Sequence, residues 1–290
     1  MKTSVNAYAK INLFLDMVSR RDDGYHNILS VMQSVTLHDV VTVEYTAGES
    51  TEITITCNAD AVPADQSNLG YKAATRFPYA NGIINIHIDK NIPVSAGLAG
   101  GSADAAAVLL ALNELCGNPM TLDELKDLGA TLGADVPFCI ECGTRLVEGI
   151  GDKISDFAPM PNYPIVIAKK GEGMSTPAAY RMLDERFDNF SSYTPHKEHL
   201  SKLTQSNSSD IYSYCSGIYN LFEQVVEPLR ADVTLIKKTM NGCGAINTTM
   251  SGSGTSVFGI FNRAESAEVA LLRLKDLGAD AHICYPYNSR

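Results

Sequence analysis

The run Ile92-Pro93-Val94-Ser95-Ala96-Gly97-Leu98-Ala99-Gly100-Gly101-Ser102-Ala103-Asp104 leaves few folds open to the chain. Before it, Ile84-Asn85-Ile86-His87-Ile88-Asp89 alternates as a half-buried strand does. After it, Val108-Leu109-Leu110-Ala111-Leu112 reads as a buried helix. Strand, glycine loop and helix start therefore follow one another directly. Glycines let backbone N–H groups approach a ligand with no Cβ in the way, and the first turn of a helix carries unpaired N–H groups at the positive end of its dipole. Together they suit a phosphate. The same residues also make a tight turn that packs a helix onto a sheet, so the neighbouring sequence has to decide. A Walker loop is excluded because no lysine follows the glycines, a dinucleotide fingerprint needs another glycine spacing, and the H-R-D of protein kinases is absent.

At 290 residues the chain is longer than one typical domain. Four of the eight residues 157–164 are Pro or Asn, which sets an expected division into lobes 1–158 and 159–290. The net charge of −10 argues against a general binder of nucleic acid, so a phosphate would be held locally by amides, a few cations or a metal ion. Seven cysteines, an odd number, and the lack of a secretory segment fit a reduced cytoplasm. Cys139-Ile140-Glu141-Cys142 sits in what reads as a strand, where an offset of three sends the thiols to opposite faces, so a metal or redox role is not expected. No apolar run approaches the roughly 18 residues of a membrane-spanning helix, and no membrane association is expected.

Residues 3–17 read as a strand carrying Lys10, Asn12 and Asp16 opposite its apolar face. Lys10 is either an edge-strand lysine that blunts aggregation or a cation aimed into a cleft. Tyr25 and His26 open an apolar segment ending near Leu37, and residues 41–45 and 52–56 read as a hairpin. Ser67-Asn68-Leu69 begins a helix to about Phe77, and Thr121-Leu122-Asp123-Glu124 is a capping box for another that Gly133-Ala134-Asp135-Val136-Pro137 ends. A strand pair is expected over Phe138–Val147, a strand over 165–168 and a helix from Ser175-Thr176-Pro177. Residues 188–212 read as a long mobile loop or lid. Helices are expected near 217–229, 232–241 and 264–277, with a second glycine loop at Met250-Ser251-Gly252-Ser253-Gly254-Thr255 and a closing strand at Ile283-Cys284-Tyr285.

Two glycine loops, an acid after a helix and a lysine in the first strand make a phosphoryl-transfer kit, since that chemistry rests on positioning and charge stabilisation. The segment from Pro93 through Ala106 resembles the Pro-x-x-x-Gly-Leu-Gly-Ser/Gly-Ser loop of the GHMP kinases, the superfamily named for galactokinase, homoserine, mevalonate and phosphomevalonate kinases. Ala7-Tyr8-Ala9-Lys10-Ile11-Asn12-Leu13 with Gly24-Tyr25-His26 is similar, within it, to the branch that phosphorylates a cytidylylated methylerythritol in non-mevalonate isoprenoid synthesis. The resemblance implies an α+β fold of two lobes, the N-terminal one like ribosomal protein S5 domain 2 and the C-terminal one ferredoxin-like. It implies ATP as co-substrate and Mg2+; the partners expected are small molecules only, and the chain is expected to be a monomer or weak homodimer. By position it makes Asp135 the general base with Lys10 its partner, gives ATP to Asn68 and to Pro93 through Asp104, and gives the cytidylylated substrate to Asn12, Tyr25, His26, Thr176 and Tyr180. Gly252, Ser253 and Gly254 match the third superfamily motif. Ala99 and Ala103 depart from the glycine and serine common there, which leaves Ser102 as the phosphate or magnesium contact and the metal ligands unassigned. A kinase for homoserine or mevalonate, and a nucleotide-binding regulator without transfer activity, are the competing readings; the pair Lys10 and Asp135 speaks against the regulator, which needs no base.

Overall fold

The computed structural model describes residues 1–204 and 210–288. Two long strands, β1 (Lys2–Arg20) and β2 (His26–Ala47), pair antiparallel over nearly their whole length and form the spine of the first lobe. β3 (Glu52–Cys57), α1 (Leu69–Arg76), β4 (Gly82–Asp89), α2 (Gly100–Leu115), α3 (Leu122–Ala130), α4 (Val136–Glu141), β5 (Thr144–Gly149) and β6 (Lys153–Asp156) complete it. The second half runs β7 (Ile165–Lys169), α5 (Thr176–Arg186), α6 (Glu198–Thr204), α7 (Ile211–Cys215), β8 (Tyr219–Asn220), α8 (Glu223–Val226), α9 (Ala231–Gly242), β9 (Ala245–Met250), β10 (Val257–Phe261), α10 (Ala264–Asp276) and β11 (Asp280–Cys284).

The first sheet has the order β3-β4-β2-β1-β8, with β5 joined to the early half of β2 and β6 to β5. Its inner face is apolar and covered by α2, whose residues from Ala103 to Leu109 are all buried. That explains why the α2 sequence is apolar all round: a helix with protein on every side has no polar face to keep. The second sheet, β11-β7-β10-β9, is antiparallel throughout and is the ferredoxin-like lobe. β8 crosses back from the second half to lie parallel to β1 at Phe14 and Leu15.

The α+β, two-lobed reading stands, as do the capping box at Thr121 and Glu124 and the helices α9 and α10. Several local readings do not. The segments 41–45 and 52–56 form no hairpin: β4 inserts between them and β3 pairs with it in parallel. The ladder of Ile84, Ile86 and Ile88 on the core face outcompetes a local turn, because it buries more apolar surface. Phe138 to Glu141 is helix rather than strand, so Cys142 caps α4 and its thiol donates to the Cys139 carbonyl. Tertiary burial of Val136, Phe138 and Ile140 overrides their β-forming character. Residues 217–229 hold β8, α8 and a 3-10 turn in place of one helix, Pro228 forbidding its continuation. The expected loop 188–212 contains a 3-10 turn at Asp188–Phe190, α6 and the start of α7, its residues 205–209 lying outside the described residues.

Candidate active site

Lys10 and Asn12 are placed by irregularities in the strand that carries them. β1 slips register against β2 between Tyr8 and Lys10 and again between Asn12 and Phe14, so bulges flank the pair and aim it. Both side chains are buried, and Lys10 Nζ donates to Asn12 Oδ1 at 2.8 Å. Asn12 Nδ2 in turn donates to Ser30 Oγ at 2.9 Å, and Ser30 donates to the Phe14 carbonyl. This chain leaves Lys10 little freedom, and it excludes the edge-lysine reading. Across the cavity Asp135 Oδ2 lies 4.0 Å from Lys10 Nζ, with its side chain about one-third exposed. Asp135 opens α4, yet its carboxylate caps none of that helix's amides and accepts no hydrogen bond among the described residues. A carboxylate beside a fixed ammonium and uncommitted to structure is available to a proton.

The glycine loop lies directly above. It reaches its shape through three left-handed residues, Ser95 (φ 52°), Gly97 (φ 75°) and Ala99 (φ 56°). Leu98 accepts a hydrogen bond from the Lys10 amide, tying loop to strand. α2 begins with Ala99 as N-cap and no side chain capping it, so its first amides are left to a ligand. The second glycine loop meets the first: Ser251 Oγ donates to the Gly97 carbonyl at 3.0 Å, and a Cβ on Gly97 would come within 2.2 Å of the Ser251 carbonyl oxygen. Gly252 packs on Gly97, and Asn220 fixes the second loop by donating to the Met250 and Gly252 carbonyls.

Two cavities meet at this point. One, of about 390 Å³, is lined by the glycine loop through Ser102 together with Val62, Pro63 and Asn68. The second, of about 370 Å³, holds Lys10, Asn12, Asp135, Thr176, Tyr180 and Ser253. Gly97, Ala99 and Ser102 line both. Asn68 faces the first cavity but spends its side chain capping α1 through Gly70 and holding the Pro63 carbonyl. Asp104 is also engaged. Its Oδ2 accepts from Lys90 Nζ at 2.6 Å, while its Oδ1 is buried with no partner. Burial pushes the Asp104 carboxyl up to about 7, against the pull of Lys90 and with the push of Asp39. Asp39, fully buried on β2, takes the Lys90 ammonium and the amides of Asn91 and Ile92, anchoring the entry to the loop. Nothing in the local sequence marks Asp39; its partners lie some fifty residues away.

Tyr25 and His26 stand at the turn between β1 and β2. Tyr25 is exposed, whereas the His26 ring is buried against Tyr180, stacked at 4.7 Å between centroids. Burial raises the Tyr180 hydroxyl far above its ordinary range, and the charge of Asp135 adds to it. Thr176, at the start of α5, hydrogen bonds Ser253 at 2.9 Å and so links that helix to the second glycine loop. Asp184, further along α5, accepts from His26 Nε2 at 2.6 Å, and no sequence motif marks it.

Comparison with known proteins agrees with this geometry. Residues 68–143 match the family described as GHMP kinases N terminal domain, and residues 200–280 that described as GHMP kinases C terminal. A 4-diphosphocytidyl-2-C-methyl-D-erythritol kinase of Clostridium beijerinckii is 40% identical over 282 residues, covering 96% of this chain and 98% of that one. One of Caldicellulosiruptor saccharolyticus is 41% identical over 275 residues, covering 93% of this chain and 92% of its own length. Among solved structures, a 4-(cytidine 5'-diphospho)-2C-methyl-D-erythritol kinase superposes with a TM-score of 0.82 at 28% identity, over 99% of this chain and all of that one. A homoserine kinase of Cytophaga hutchinsonii, at 20% identity and a TM-score of 0.73 over 100% of this chain and 96% of its own, shares the fold. With glycine loop, lysine and acid gathered at one junction and near-full-length relatives at this identity, the chain belongs to the 4-diphosphocytidyl-2-C-methyl-D-erythritol kinase family of the GHMP kinases.

Proposed function

We propose that the chain transfers the γ-phosphoryl group of ATP to the 2-hydroxyl of 4-diphosphocytidyl-2-C-methyl-D-erythritol, the compound for which its relatives are named as kinases. The observation that carries the reading is the Lys10–Asp135 pair, 4.0 Å apart in the cavity that shares Gly97, Ala99 and Ser102 with the one along the glycine loop. Transfer of this kind asks the protein for in-line positioning and charge stabilisation. Asp135 takes the proton of the acceptor hydroxyl as its oxygen bonds to the γ-phosphorus and the bond to the ADP oxygen breaks. Lys10 stabilises the charge that develops beside it, held in place by Asn12 and Ser30. The amides at the start of α2 cradle the phosphates, and Tyr25, His26, Thr176 and Tyr180 receive the cytidine end.

Magnesium belongs to the same proposal. The Ser102 hydroxyl lines both cavities and would be the ion's protein contact, with phosphate oxygens and water completing its shell. Such an ion neutralises phosphate charge. We place the lobes at 1–158 and 159–290 and the enzyme in the cytoplasm, as a monomer or weak homodimer.

Asp135→Ala tests the reading. Turnover of the cytidylylated substrate should fall by about 10²- to 10⁴-fold, the usual worth of a general base, while ATP binding measured by calorimetry persists. Undiminished turnover would overturn the assignment, and so would wild-type protein that phosphorylates homoserine or mevalonate in preference.

A further inference from the structure

His26 is gripped twice by one helix. Tyr180 and Asp184 are four residues apart on α5 and so share a face; the first stacks on the imidazole and the second meets its Nε2 at 2.6 Å. Arg20 of β1 holds the other carboxylate oxygen of Asp184 at 3.4 Å and reaches Asn189 at 2.8 Å, so the carboxylate is itself fixed. A carboxylate only accepts hydrogen bonds, so the proton of a neutral His26 must reside on Nε2. Nδ1 is then a bare lone pair, and it makes no hydrogen bond among the described residues.

We infer that Asp184 is a positioning residue that sets pyrimidine choice, by holding His26 in the tautomer whose Nδ1 accepts from a base. The inference rests on the reading of Tyr25 and His26 as the cytidine end. Cytosine presents an exocyclic amine, a donor, where uracil presents a carbonyl oxygen, an acceptor. An accepting Nδ1 pairs with the amine and faces the uracil oxygen lone pair to lone pair, which is discrimination by repulsion as much as by attraction. Sites that hydrogen bond a substrate group discriminate far better than sites that merely fit it. Without Asp184 the proton is shared between the two ring nitrogens, and an Nδ1–H tolerates uracil.

The test compares wild type, Asp184→Asn and Asp184→Ala on the cytidylylated substrate and its uridine counterpart. An asparagine amide can donate to Nε2 as well as accept from it, so both variants should lower the cytidine-to-uridine ratio of kcat/KM by at least about tenfold, chiefly through KM, with the KM for ATP unmoved. Nitrogen NMR of the His26 ring supplies a readout that a purely structural role would not move. Wild type should show one protonated and one bare nitrogen, and the variants should show averaged signals. Unchanged ratio and unchanged nitrogen signals in both variants overturn the role of Asp184 alone. Wild-type protein that leaves the cytidylylated substrate untouched overturns the functional reading beneath it.

Discussion

Ala99 is held at φ 56°, in the left-handed region where a Cβ costs about 1–2 kcal/mol. Glycine there relieves that strain but brings back about 0.5–1 kcal/mol of chain entropy, so Ala99→Gly should raise stability by only about 0.5–1 kcal/mol. Urea denaturation checks the sign. Gly97 is the opposite case: its φ is 75° and an added Cβ would collide with the Ser251 carbonyl. Gly97→Ala should therefore separate the two glycine loops and weaken ATP binding at least about tenfold, read by calorimetry. Asp104 supplies a pH dependence. Its folded-state carboxyl titrates near 7 against an ordinary 3.8, so between about pH 4 and 7 the folded state binds more protons than the unfolded one, and stability falls as pH rises through that window. Asp104→Asn removes the slope. Measured in urea, the variant should gain on wild type by about 1–2 kcal/mol between pH 5 and 8, and a constant difference would contradict the assignment. The proximity of Lys10 and Asp135 was legible in the sequence because both lie inside motifs. Asp39 and Asp184 were not, because each acts on a residue 51 to 158 positions away and stands in no motif of its own.

At the scale of elements, what shapes the glycine loop is the grip of β2 on the exit of β4. Asp39 Oδ1 accepts the amides of Asn91 and Ile92 at 2.6 and 2.7 Å, and its Oδ2 accepts Lys90, which bridges on to Asp104 of α2. One carboxylate thus fixes where the loop starts, and one ammonium fixes where the helix after it sits. Removing the carboxylate leaves two amides and a share of a buried ammonium without an acceptor, a loss on the order of 3–5 kcal/mol. Asp39→Ala should lower stability by about that amount, and in protein that still folds it should raise the KM for ATP more than it lowers kcat; the opposite split would place Asp39 in the chemistry. The strand-loop-helix around Gly97 was readable because its pattern is local and its periods are clear. The hairpin expected at 41–56 failed for the complementary reason: its strands were identified, but their partner, β4, arrives 25 residues later in the chain. The strand expected from Phe138 is the helix α4 because its branched and aromatic residues follow burial, not intrinsic preference.

At the scale of the molecule, the two halves of the chain meet at the glycine loops and around His26, and they are joined further by β8 running beside β1 and by the tail that follows β11. In the tail, Thr36 donates to the Tyr285 carbonyl and Tyr287 to that of Ser34, both at 2.8 Å, and Pro286 bridges Val35. Tyr287 stacks on Tyr8 at 3.9 Å with the rings 19° apart, and Asn288 donates to the Met160 carbonyl. The tail so returns from the last strand of the second lobe to the two central strands of the first, close in sequence to Lys10. An active site built between lobes needs their relative placement held to a fraction of an ångström, since misplacement by about 1 Å can cost a hundredfold in rate. Deleting the chain after Cys284 removes several hydrogen bonds worth about 0.5–1.5 kcal/mol each and an aromatic pair of similar worth. Part of the tail is solvent-exposed, so a net loss of about 2–4 kcal/mol is expected in urea denaturation. Because Lys10 sits on the first lobe while Thr176 and Tyr180 sit on the second, kcat should fall at least about tenfold as well, even at temperatures where the shortened chain is fully folded. A truncation that loses stability but keeps its full kcat would mean that β8 and the contacts of Ser251 with Gly97 and of Asp184 with His26 align the lobes without the tail, which then serves only to hold the sheet edge.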